Sequence, residues 1–103
     1  MVQVSVLYPN GPNTKFDMEY YCNRHIPMVC QLLGSALKGV AVEQGLSGEQ
    51  PRSPAPYVAM GHPLFDSDDA FRTSFGSHAE AITADIPKYT NSELTIQISE
   101  VKL

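Results

Sequence analysis

The 103-residue chain has no tryptophan, only two cysteines, and seven Lys and Arg against eleven Asp and Glu, giving a formal net charge of −4. Each scarcity excludes something. The basic residues are scattered from Lys15 to Lys102 without forming a stripe, so the charge term that dominates nucleic-acid affinity is missing and nucleic acid is not an expected partner. No apolar run approaches the ~18 residues needed to cross a bilayer, and no membrane association is expected. Met1 to Asn10 lacks both a leading positive charge and a small-residue cleavage site, so it does not read as a signal peptide, and a cytoplasmic location is expected. Cys22 and Cys30 fall in one helical segment, where a spacing of about eight residues at ~1.5 Å rise parts them by roughly 12 Å, beyond disulfide reach. No two of the three histidines are close in sequence, and no carboxylate has ligand spacing to them, so no metal is expected. No glycine fingerprint for a dinucleotide is present, and no cofactor is expected.

What is present is the composition of a folded protein, 43% hydrophobic and 17% charged, of a length that suits a single domain over residues 1–103. Val2 to Tyr8 alternates Val2, Val4, Val6 and Tyr8 against Gln3, Ser5 and Leu7, which predicts a strand with one face in the core. Pro9 to Pro12 breaks it. From Phe16 the period changes to that of an amphipathic helix whose apolar arc includes Met18, Tyr21, Cys22, His25, Met28 and Leu32, with Cys30 an apolar exception on the far side. Pro27 predicts a kink or restart after His25 or Ile26, and Gly34 a stop. Leu37 to Gln44 reads as a second strand. Gly45 to Pro56 is a long, polar, glycine- and proline-rich connection expected to be mobile. Tyr57 to Phe65 reads as a third strand, confined by Pro63 to an edge or a strand end. Asp66 or Ser67 caps a second helix that runs to Pro87, with Phe71, Phe75, His78 and Ile82 on its apolar arc. Thr95 to Lys102 is the last strand.

The order β-α-β-β-α-β predicts an α+β, ferredoxin-like fold, a four-stranded antiparallel sheet with two helices on one face. The other face is expected to carry small and mixed residues such as Ser5, Ala59, Gly61, Thr95 and Ser99. That face either stays wet or packs on another sheet that small side chains allow to approach.

Three stretches carry a resemblance across essentially the whole chain. They are Leu7-Tyr8-Pro9; Phe16-Asp17-Met18-Glu19-Tyr20-Tyr21 with Asn23-Arg24-His25-Ile26-Pro27; and Asp85-Ile86-Pro87-Lys88-Tyr89-Thr90. In order and spacing they are similar to those of the EthD family, the Tyr-Tyr-x-x-x-His-x-Pro cluster being the most specific part. The resemblance implies a homodimeric α+β barrel, with two sheets facing each other and a cavity between each sheet and its own helices. The family takes its name from a gene cluster for ethyl tert-butyl ether breakdown, and its wider superfamily includes polyketide cyclases, muconolactone isomerases and cofactor-light monooxygenases. The missing tryptophan argues against the haem-degrading relatives that use one. Met28 stands where Leu is common, and Lys88 where Asn is usual before Tyr-Thr.

His25 is the leading candidate for chemistry, since an imidazole on an apolar helix face can move a proton in either direction. Tyr21, on the same face, is its expected partner, and His78 a second proton carrier. Tyr8, Met18, Met28, Phe71 and Phe75 are the expected walls of a site for a small apolar or aromatic ligand. Beside this stands a plainer reading, in which His25 is a satisfied core residue bracing an interrupted helix. Asp85 reads as a turn-fixing carboxylate beside Pro87, Tyr89 as its neighbour, Asp17 as a helix cap, and His62 as an edge residue. Three functions compete. One is an enzyme or oxygenase-associated subunit acting by proton transfer or oxidation on a small oxygenated molecule. Another is a non-catalytic ligand-binding or accessory barrel, and the third a purely structural dimer.

Overall fold

The computed structural model describes residues 1–103. Alternating β-branched residues form β1 (Val2–Pro9), the central partner of two neighbours. With β2 (Gly39–Gln44), β3 (Tyr57–Phe65) and β4 (Thr95–Glu100) it makes an antiparallel sheet of order β2-β3-β1-β4. The α+β ferredoxin-like arrangement expected from the pattern is therefore present. β2 begins at Gly39 and not at Leu37, and β4 ends at Glu100, short of Lys102.

Register decides which side chains reach the helices. Val2 pairs with Phe65, Val6 with Gly61 and Tyr8 with Ala59. Side chains of directly opposed residues share a face, so Ala59, Gly61 and Phe65 join Val4, Val6 and Tyr8 on the helix side. This corrects the expectation that Ala59 and Gly61 lie on the outer face. Their smallness serves the helix side instead: a Cβ built on Gly61 would collide with the Tyr21 hydroxyl oxygen. Met60, His62 and Leu64 take the outer face with Gln3, Ser5 and Leu7. β3 lies between β2 and β1, so His62 is not an edge residue. Pro63 is tolerated there within the pairing to Val40.

The first helical segment is built in three pieces. Asp17 caps α1 (Met18–Tyr20) by accepting from the Tyr20 amide. A π-helical turn, Tyr21–His25, follows, in which the Ile26 amide bonds back to the Tyr21 carbonyl. α2 (Ile26–Leu33) then restarts with Pro27 in its first turn, where no amide donor is needed, and ends at Gly34 with φ of 57°. The restart is the one that Pro27 predicted. The extra residue in the π turn sets α2 back by about 100° relative to a continuous α-helix. That slip corrects the apolar arc: Cys22 is exposed, and Cys30 turns inward.

The second helical segment is not continuous. α3 (Asp68–Gly76) is capped by Ser67, whose hydroxyl accepts from the Ala70 amide. The chain breaks at Ser77 and His78 before α4 (Ala79–Asp85) and a final 3-10 turn, Ile86–Lys88. The core has two centres on the helix side: Val4, Leu33, Phe65 and Ile82, and the aromatic group of Tyr8, Tyr21, Ala59 and Tyr89. Only 11 of 103 residues are buried, because a cavity occupies the space between helices and sheet and the outer sheet face is bare.

Candidate functional site

The π turn brings Tyr21 and His25 onto one face with their rings stacked, centroids 5.6 Å apart at 14°. Both are almost fully buried. Tyr8 comes from the end of β1, and Asp85 and Tyr89 flank the 3-10 turn. The segment around Tyr89 is fastened to the first helix. Phe16 and Thr90 form a β-bridge, the Asp17 amide donates to the Tyr89 carbonyl at 2.8 Å, and the Thr90 hydroxyl donates to the Lys15 carbonyl at 2.7 Å.

These residues form one connected string. His25 Nδ1 lies 2.9 Å from Asp85 Oδ2, and Tyr20 donates its hydroxyl to Asp85 Oδ1 at 2.8 Å. On the other side of the imidazole the Tyr89 hydroxyl lies 3.5 Å from Nε2, and 2.8 Å from the hydroxyl of Tyr8. The order is Asp85–His25–Tyr89–Tyr8, with Tyr21 packed edge-on against Tyr8 at 5.5 Å between centroids.

Electrostatics fixes the protons. Burial pushes the Asp85 carboxyl up, but hydrogen bonds from His25 and Tyr20 and the charge of Lys88, 3.5 Å away, outweigh it and hold Asp85 below the usual carboxylate range. An ionised carboxylate only accepts, so Nδ1 of His25 carries the proton and Nε2 of the neutral ring presents a lone pair to Tyr89. Burial lowers the His25 pKa, against the opposing pull of Asp85, which keeps the ring neutral at pH 7. Burial also pushes the hydroxyls of Tyr8, Tyr21 and Tyr89 well above the ordinary tyrosine value. The proximity of the Tyr21 hydroxyl pulls Tyr8 slightly back. The string is thus neutral apart from its carboxylate end. It can accept a proton at its far end while His25 becomes an imidazolium against Asp85, the arrangement of a general base with its orienting carboxylate.

A cavity of about 260 Å³ lies against this string, lined by 20 residues of which 17 are hydrophobic. His25, Tyr21, Tyr8, Phe71 and Phe75 line it; His78, Met18 and Met28 do not. His78 sits at the break between α3 and α4, off the arc that a continuous helix would give it, and the structure does not bring it to His25. Met18 packs on the tyrosine group, and Met28 on the core around Val4. Asp85 and Tyr89 belong to the string, although their sequence context reads as a turn. The signal was in the three motif stretches, which converge in space and whose titratable side chains make up the string. No group of three or more His, Cys, Asp or Glu is placed to hold a metal ion.

The EthD domain family matches residues 13–93. Among solved structures, an EthD-like protein from Ralstonia eutropha JMP134 is 40% identical over 99% of this chain and 92% of that one, with a TM-score of 0.95. An ethyl tert-butyl ether degradation (EthD) family protein from Bacillus halodurans C-125 is 21% identical over 99% of both chains, TM-score 0.75. A dimeric ferredoxin-like protein of unknown function from Thermobifida fusca YX shares the fold at 14% identity and TM-score 0.59, over 97% of this chain and 90% of that one. No curated protein matches the chain.

Proposed function

Because the chain belongs to the EthD family and sets a carboxylate-backed histidine behind a buried phenol string, we propose that it transfers a proton to or from a small, largely apolar, oxygen-bearing molecule held in the cavity. The observation that carries this reading is the unbroken Asp85–His25–Tyr89–Tyr8 string ending on the cavity wall. His25 is the base, Asp85 orients it and stabilises its charged form, and Tyr89 and Tyr8 conduct the proton. A histidine that only braced the helix would need Asp85 but no phenols leading to a cavity. The 3.5 Å joint between Tyr89 and His25 Nε2 is long for proton transfer, and this reading requires it to shorten when a ligand fills the cavity.

The assembly that suits this reading is a homodimer joined through the bare outer sheet face, where Leu7, Met60 and Leu64 are half-buried already. Sedimentation equilibrium at micromolar concentration showing only the 11.3 kDa monomer would remove the barrel.

The chemistry is tested with β-naphthol in deuterated water. Removing its hydroxyl proton activates the neighbouring ring carbon, which then takes up deuterium. The protein is expected to accelerate that uptake, and His25→Gln to reduce the acceleration by ~10² or more while the chain stays folded. Binding of β-naphthol without any acceleration would leave the non-catalytic accessory reading in its place.

A further inference from the structure

The proton positions that geometry imposes on the string also decide what it can bind. Resting on the reading above, we infer that the cavity selects a neutral ligand that donates a hydroxyl proton, a phenol or an enol, over a ketone, an ether or a carboxylate of the same shape.

The argument starts at the carboxylate. Asp85 accepts from His25 Nδ1, so Nε2 accepts in turn, and the only donor facing it is the Tyr89 hydroxyl. With its proton committed to Nε2, Tyr89 offers its oxygen to Tyr8, whose hydroxyl donates at 2.8 Å. Each proton therefore points toward His25, and each lone pair toward the cavity. A ligand hydroxyl completes this row. A carbonyl or ether oxygen meets lone pairs, and burying it there without a donor costs its water hydrogen bond.

The rest of the wall offers little to reverse the preference. No Lys, Arg, Asp or Glu side chain lines the cavity, so a carboxylate ligand would be buried there without a counter-ion. The remaining polar wall groups are Thr83, largely exposed to solvent, and the Cys30 thiol, a weak donor. A bound hydroxyl is also the group the string can deprotonate. Its proton passes to the Tyr8 oxygen, as the Tyr8 proton moves to Tyr89 and the Tyr89 proton to His25 Nε2. The ligand is left as an oxyanion and His25 as a cation paired with Asp85.

Isothermal titration of the intact protein at pH 7 with β-naphthol, its methyl ether, α-tetralone and β-naphthoate tests this. β-Naphthol is expected to bind about tenfold tighter than the ether and the ketone, and the naphthoate weakest. In Tyr8→Phe the preference for β-naphthol over its ether should fall severalfold. Equal affinity for β-naphthol and its ether, or tighter binding of the ketone or the carboxylate, overturns the selectivity and leaves proton transfer standing. Failure of all four probes to bind overturns the cavity reading as well.

Discussion

The two faces of the sheet each carry a histidine paired with a carboxylate, and the pairs do different things. On the helix side His25 holds Asp85 at 2.9 Å, with the two side chains 5% and 13% exposed. On the outer face His62 holds Glu43 at 3.1 Å, with exposures of 15% and 57%. His62 uses both nitrogens locally. With Nε2 donating to Glu43, Nδ1 accepts from the Gln3 amide at 3.3 Å and the Ser5 hydroxyl at 3.2 Å. His25 spends Nδ1 on its carboxylate and keeps Nε2 on a loose phenol contact that leads to a cavity. A histidine–carboxylate pair is thus no signature of chemistry by itself. Burial of the carboxylate and the destination of the second nitrogen make the difference.

The contrast is sharpest at the residue that makes room for the helix-side string. Gly61→Val should destabilise the protein by about 2–3 kcal/mol in urea unfolding, because the added side chain displaces Tyr21. Ala41→Val, on the outer face one strand away, should change stability by less than ~0.5 kcal/mol. The second comparison sets the two carboxylates side by side. Asp85→Asn should cost about 1–2 kcal/mol, since it weakens a buried charge-assisted bond and disturbs the Nδ1–H tautomer. Glu43→Gln should fall within ~0.5 kcal/mol, its own carboxylate being solvated. Equal losses from the two would erase the distinction drawn between the faces.

The smallest effect is a pH dependence. The His25 pKa is lowered on folding from an ordinary 6.5, so below that pH the unfolded chain binds the proton more readily and stability falls. Asp85 is lowered from an ordinary 3.8, so its contribution is full above that value and is lost as pH falls further. Thermal unfolding should therefore show no loss from His25 above pH 7, a shallow decline below 6.5 that disappears in His25→Gln, and a further decline below 3.8.

Much of this was legible in the chain. Period-two patterning located the strands, the caps at Asp17 and Ser67 located helix starts, and Pro27 marked the restart. The site was legible in part. Tyr8 and Tyr21 reach the cavity because their elements are regular up to those positions, and His25 because the π turn keeps it on the face of Tyr21. Cys30 was misplaced because a constant 100° step cannot represent a turn with one extra residue, and no residue type marks such a turn; Met28 does face inward, but onto the core around Val4 and not the cavity. His78 was misplaced for a related reason: the break after Gly76 replaces one continuous helix by two. Asp85 and Tyr89 resembled turn residues because they are turn residues. Their partners, Tyr20, His25 and Tyr8, stand some 60 to 80 positions away, and only the folded sheet brings them together.

The slip in the first helical segment places the two thiols in different surroundings. Cys22 is open to solvent, whereas Cys30 is half-buried on the cavity wall. An alkylating reagent reaches the first directly, whereas a ligand in the cavity lies against the second. The ratio of modification at the two positions is therefore a built-in gauge of occupancy, with Cys22 as the internal standard and no label added to the protein.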